Sequence, residues 1–419
     1  MPTRSSTAVK AARSTTRKAS SKATKVAINK VVNKPNRRKT RESALAQKPA
    51  AKRAVTKKKP ATKKAAVKKA TTKTVKKAPV VTRGSNGSNP LGHLLIAKLF
   101  REAGFRGGIS SKDSLLNAYS TDESIFSIRP QVVLQPKNRQ DVQIAAKVVS
   151  ENVEQFPSLS LTPRAAGTGL GGGALTDSIV IDMCAHMQKI GEITKKKDIV
   201  YVQTEPGAMW RDLEKKLKRH GAYIPSFPAS KDICSIGGAI GNNAAGPDSL
   251  RYGHCAEWVE SMDVVLHDGH TYTIKALSAR EFKLLAKQDH EHARIAREIF
   301  DLISKNEKEI KDGKPKTAKI SSGYPLWSVM PGGVAKFKKG EGVFDLTRLI
   351  AGSQGTIGII TKLTMKAIAI PKHTSLIVLP IFNLDDAADA IVKALKHNPI
   401  NVEVFASLSF DLALKNPSF

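Results

Sequence analysis

The stretch PRAAGTGLGGGALTDSIVID, from Pro163 to Asp182, sets the strongest limit on what this chain can become. Gly167, Gly169 and Gly172 satisfy the dinucleotide pattern G-x-G-x-x-G. In a Rossmann unit that pattern closes a strand and opens a helix, whose N-terminus then faces the pyrophosphate. Here the apolar run SLSLTPR enters the glycines and the β-branched run SIVIDM leaves them. Strand follows strand, so the NAD-binding context is missing and an NAD site is not expected.

Two further glycine segments follow in order, SIGGAIGNNAAG from Ser235 and AGSQGTIG from Ala351. Glycine permits positive φ and lets backbone N–H groups come close to phosphate oxygens. The three segments contain almost no Lys, Arg or metal ligand. They point to a large cofactor held mainly by main-chain contacts, such as a diphosphate with a ring system at each end.

The surrounding pattern alternates strands and helices. Helices are expected in LGHLLIAKLFREAG, stopping at Gly104, in RQDVQIAAKVVSEN behind an Asn138 cap, in AMWRDLEKKLKRHG, and through the charged stretch Ser278 to Lys308. Strands are expected in PQVVLQP, IVYVQTEPG and a hairpin, VESMDVVLHDGHTYTI, turning on the pair Asp268-Gly269. FDLTRLIAGSQGTIGIITKLTMKAIAIP reads as helix, glycine turn and strand. From Thr374 the order is strand (SLIVLPIF), helix, strand (INVEVFA) and helix start, half of a four-stranded α+β unit inside which the chain stops.

Charge divides the chain unevenly. Residues 1–83 hold 27 Lys or Arg and one acid, Glu42, and so carry +26 of the total +33. This segment has no Phe, Tyr, Trp, Cys or Gly, cannot bury enough apolar surface to offset ordering, and is expected to be disordered. Its lysine runs resemble linker-histone tails, which suits nucleic acid or another polyanion without sequence readout. A solvated tether and a mitochondrial transit peptide are the other readings. Cys184, Cys234 and Cys255 lie far apart without C-x-x-C, which fits a reducing, cytoplasmic compartment and excludes a disulfide framework. No run of 18 apolar residues supports a membrane span.

Six motifs in order, PRAAGTGLGGGA, TEPG, PAS-x5-IGGAIGNNAAG, RYG, DVVLHDG and GSQGTIGIIT, resemble FAD-binding flavoproteins of the vanillyl-alcohol oxidase and p-cresol methylhydroxylase (PCMH) type. The nearest branch resembles D-lactate dehydrogenase, D-2-hydroxyglutarate dehydrogenase and the glycolate oxidase FAD subunit. The resemblance implies an α+β fold: a two-subdomain FAD-binding unit over 112–371 and the start of a ferredoxin-like cap over 372–419, after a linker and helix at 84–111. It places the cofactor on Arg164, Ala165, Ala166, Gly167, Thr168, Gly169 and Leu170. Further contacts would come from Pro228, Ser230, Ser235, Ile236, Gly237, Gly238, Asn243, Ala244, Gly246, Gly253, Ile359 and Ile360. Thr168 stands where some members carry a histidine bonded to flavin, so FAD is expected to be non-covalent. Ala165 and Ala245 replace customary glycines, where an alanine forced to positive φ would weaken the site.

The implied reaction is oxidation of a small 2-hydroxy acid by hydride transfer to flavin, with a quinone, cytochrome or other carrier as electron acceptor. The family's base and metal-binding histidines lie later than Phe419, so no catalytic base and no metal are assigned. His267 and His270 are expected on the hairpin surface, and His290 and His292 on a solvated helix face. His254 is a candidate polar contact to the cofactor. Tyr324 and Trp327 are expected either in the core or beside the flavin ring. Arg164 is expected to steady the diphosphate or to form a surface salt bridge.

Overall fold

The computed structural model describes residues 90–416, apart from 318, 321 and 322; the basic segment 1–83 lies outside the described residues. The first sheet has four short strands, β1 (Gly108–Ser110), β2 (Val132–Gln135), β3 (Leu161–Arg164) and β4 (Ile179–Asp182), in the order β1-β2-β4-β3. The β2–β4 and β3–β4 pairs are parallel. All four residues of β4 are buried, because side chains alternate between two covered faces. Ile179 and Ile181 join Phe100, Val142 and Ala145 of the helices Pro90–Glu102 and Arg139–Asn152. Val180 faces the other way, onto Leu116.

Asn138 begins the helix Arg139–Asn152 as its sequence requires, its side chain accepting the Asp141 N–H at 3.1 Å. The connection from β3 to its parallel neighbour β4 contains the first glycine loop and no helix. That is the physical difference from a Rossmann crossover.

The second sheet has six antiparallel strands: β5 (Ile190–Lys196), β6 (Ile199–Thr204), β7 (Ala222–Tyr223), β8 (Val259–Val265), β9 (Thr271–Lys275) and β10 (Ile359–Ala369). β10 lies at the centre, paired with β6, β7 and β8. Its alternate residues Leu363, Met365 and Ala367 are buried against a core that includes Trp210, Leu213 and Leu217 of the helix Trp210–Lys218. β5 is a lysine-bearing edge strand that the sequence pattern does not announce. Such charge is a common guard on an open sheet edge.

Three local expectations need correction, and one short helix is added. The β8–β9 hairpin pairs Leu266 with His270 and turns through three residues, His267 to Gly269. Only Gly269 has positive φ, +75°, so a two-residue turn needing two such residues gives way to a three-residue turn closed by glycine. The charged stretch breaks into helices Ala279–Leu285, Glu291–Lys305 and Glu307–Asp312, because His290 is extended and caps the second by accepting the Ala293 N–H. The second glycine segment contains a short helix, Ile236–Gly241. Finally, the segments 374–382 and 400–406 form no sheet pairing among the described residues, although helices Leu384–Leu395 and Ser407–Leu414 are present. Leu376 is 87% and Phe382 98% exposed, so the apolar side chains that would anchor a ladder have no packing partner here.

Candidate cofactor site

A single cleft collects all three glycine segments. Its wall takes Arg164, Ala165, Ala166, Gly167, Thr168 and Gly169 from the first, Ser235, Gly237, Gly238 and Ala244 from the second, and Pro228 and Ser230 from the loop just before the second. Gly355, Gly358, Ile359 and Ile360 close it from the third. The other five expected residues lie outside that wall. Leu170 is 79% exposed and Ile236 is core. Asn243, at φ +44°, uses Oδ1 to accept the Ala256 N–H at 3.1 Å. Gly246 packs so closely on the Phe227 carbonyl that no Cβ fits, and the Gly253 carbonyl accepts from Ser226 Oγ at 2.8 Å.

The three segments are joined by backbone. Gly352 N–H donates to Ile240 O at 3.0 Å and Gln354 N–H to Gly241 O at 2.9 Å. Gln354 Nε2 reaches Asn242 Oδ1 at 3.2 Å. A Cβ on Gly238 would lie 3.0 Å from Ala165 Cβ, so the first and second segments touch. Neither Ala165 nor Ala245 has positive φ, so the strain expected from replacing glycine there does not arise.

Arg164 corrects another expectation. It is buried at 9% exposure and donates to the carbonyls of Thr121 (2.8 Å) and Tyr119 (3.3 Å). Its guanidinium lies 5.1 Å from the Tyr119 ring centre. It is therefore not a surface salt bridge; it props Gly167 from beneath, where an added Cβ would lie 2.6 Å from Nη2. The Tyr119 hydroxyl donates to Asp182 Oδ2 at 2.6 Å. Burial, reinforced by that bond, raises the tyrosine pKa above its usual range.

The residues fit a large, weakly charged ligand carrying a diphosphate. Apart from Arg164, the wall's one charged side chain is Asp122. A Cβ on Gly169 or Gly171 would meet nothing within 4 Å, so that face of the loop is open to close approach. The Ile236 and Gly237 amides are taken by Ala208 O and Pro206 O, but Ser235 Oγ is buried in the wall with no oxygen or nitrogen partner and only the weakly polar Cys184 thiol beside it. A thiol is a weak hydrogen-bond partner, so a ligand phosphate would be a stronger one for this hydroxyl.

The remaining candidates lie elsewhere. His254 Nε2 accepts the Ile320 N–H at 3.2 Å and is not in the wall; burial lowers its pKa. His267 pairs with Glu291 at 2.9 Å and His270 with Asp268 at 3.4 Å, both on the hairpin surface. His292 is not on a solvated face: it is buried, 5.7 Å from the Tyr272 ring, and burial lowers its pKa to about 4. Tyr324 is half exposed and shares a 2.6 Å hydrogen bond with Thr356, and Trp327 is half-buried. Burial raises the thiol pKa of Cys184 and Cys234 to about 11 and of Cys255 to about 12, which keeps all three protonated at neutral pH. Among the described residues no cluster of His, Cys, Asp and Glu could hold a metal ion, and no helix is long and apolar enough to cross a membrane.

Comparison with known proteins agrees with this geometry. Residues 130–275 match a family described as an FAD binding domain. The chain is 29% identical over 319 residues to D-2-hydroxyglutarate dehydrogenase of Pseudomonas putida, covering 75% of this chain and 30% of that protein. It is 26% identical over 290 residues to D-lactate dehydrogenase of Anaerostipes hadrus, covering 68% and 47%. A solved alkyldihydroxyacetonephosphate synthase aligns at 16% identity and a TM-score of 0.43, over 66% of this chain and 41% of its own. This chain thus spans less than half the length of each of these relatives. Residues 130–275 are thus similar to an FAD binding domain, and they supply two of the three glycine segments that meet in the cleft.

Proposed function

We propose that this chain binds FAD non-covalently and serves as the flavin-holding part of an oxidoreductase acting on a D-2-hydroxy acid of the lactate, glycolate or 2-hydroxyglutarate class. When bound, FAD supplies the ring that accepts hydride from the substrate's α-carbon. The observation that carries this reading is the meeting of three glycine segments around one cleft with almost no charged side chain in its wall. The chain's own part is to cradle the diphosphate on the Gly167–Gly169 backbone, to orient the cofactor between the two sheets, and to exclude water from it. No side chain of this chain is assigned as base. Electrons would pass to a carrier other than NAD.

Purified protein should be yellow. Its flavin absorbance should bleach anaerobically under D-lactate or D-2-hydroxyglutarate where the polypeptide carries every group the reaction needs. A folded sample that is colourless and takes up no added FAD at micromolar concentration defeats the reading.

A second activity is favoured by the charge of residues 1–83, which is +26. We infer that this segment holds nucleic acid through counterion release. Retention on double-stranded DNA should fall steeply between 50 and 200 mM salt, a range in which phosphate contacts of this kind weaken sharply. Deleting residues 1–83 should abolish it and leave flavin binding intact.

A further inference from the structure

We propose that Asp122 is a cofactor-binding residue, accepting a hydrogen bond from a hydroxyl or ring N–H of the flavin nucleotide. This rests on the flavin reading above and adds a fourth segment to the three glycine segments. Asp122 lines the cleft. Its Oδ1 accepts the Ser124 N–H at 2.8 Å, which fixes the direction of the carboxylate. Its Oδ2 is closed to solvent and has no hydrogen-bond partner.

The segment that carries Asp122 is held against the first glycine loop at several points. Arg164 holds the Tyr119 and Thr121 carbonyls, Thr121 bridges to Ser127, and Glu123 N–H donates to Gly167 O at 3.1 Å. Phe126 lies over Gly172, where an added Cβ would come within 2.9 Å of its ring. The carboxylate oxygen is thus held in place in the wall of a cleft, yet nothing in the chain satisfies it. Arg164, the cation of that wall, spends two nitrogens on carbonyls and makes no ion pair with Asp122 among the described residues.

A buried acceptor of this kind needs a donor. A phosphate offers none and would be repelled by the like charge, whereas ribityl and ribose hydroxyls and the flavin ring N–H are all neutral donors. Asp122 therefore selects for the donor-bearing parts of the cofactor, leaving the diphosphate to the glycine amides.

The test is Asp122→Asn in the full chain, with FAD affinity of the apoprotein read by flavin fluorescence quenching. Asparagine keeps the turn, because its carbonyl still takes the Ser124 N–H, but it turns the unpaired oxygen into a donor. FAD binding should weaken about tenfold, while the apoprotein's melting temperature holds or rises. Asp122→Ser, which also keeps a turn-capping oxygen and lacks the second one, should show the same loss and serves if the first variant misfolds. Repeating the titration with riboflavin by fluorescence, and with ADP by calorimetry, assigns the donor to the half whose binding falls. A wild-type protein that binds FAD beside folded variants that bind it equally well overturns this proposal alone. A wild-type protein that takes up no FAD overturns the flavin reading and this proposal with it.

Discussion

Arg139 of the first sheet's helix donates Nη2 to Asp263 Oδ2, on β8 of the second sheet, at 2.9 Å. Lys362 of β10 approaches the same oxygen at 3.0 Å, and Thr273 donates to Oδ1 at 2.7 Å. Asp263 is 95% buried as a side chain, while Arg139 and Lys362 keep about 44% and 35% of theirs in solvent. One carboxylate therefore ties the two sheets that flank the cleft.

Replacing Asp263 with alanine should lower stability by about 2 kcal/mol, the loss of charge-assisted bonds discounted for the exposure of both cations. Urea denaturation reads this as a shift in midpoint at constant slope. FAD affinity should fall with it, since the sheets lose their link. Asp263→Asn should recover part of both, because its amide still meets Thr273.

One glycine beside the site and one in its wall should respond in opposite ways. Gly246→Ala drives a methyl into the Phe227 carbonyl and should cost at least about 2 kcal/mol through overpacking. Gly169→Ala meets nothing within 4 Å and lies at ordinary φ, so stability should change by less than about 0.5 kcal/mol. Its methyl nonetheless occupies the face where the diphosphate would approach, and FAD affinity should drop. Thermal melting and flavin titration of both variants check the contrast.

Acid should destabilise the protein through His292 well above the carboxylate range. Its pKa is lowered to about 4 from 6.5, so the unfolded chain binds the extra proton between those values and stability falls as pH drops through that window. Between pH 7 and pH 5 this single group accounts for about 2 kcal/mol. Glu281 and Glu291, each lowered to about 2 by hydrogen bonds from their neighbours, lose their contribution only below the ordinary carboxylate pKa of 4.5. His292→Phe should flatten the pH 7 to 5 part of a urea-midpoint profile and leave the lower part unchanged.

Removal of the Asn138 cap tests the first sheet alone. Asn138→Ala leaves the Asp141 N–H without its side-chain acceptor and should cost about 1 kcal/mol, whereas Asn138→Ser should cost only a few tenths. Urea midpoints of the two variants give the comparison.

The parts that the amino-acid sequence determined are those whose cause lies within a few residues. Asn138 three positions before Asp141, Ser278 three before Glu281, and short apolar runs on both sides of the first glycine loop each need only local sterics and hydrogen bonds. The same local signal was enough to exclude a Rossmann turn. Where distant atoms compete, tertiary structure decided. β10 took the centre of the second sheet because β6 and β8 both pair with it, and His290 broke a helix that charge patterning alone would continue. Arg164 turned inward to carbonyls more than 40 residues earlier in the chain, and Asp122 reached the cleft because those contacts hold its segment there. Neither residue type carries a local signal for its place, since the Tyr119 and Thr121 carbonyls that hold Arg164 are distant in the chain and only folding brings them within a hydrogen bond's length.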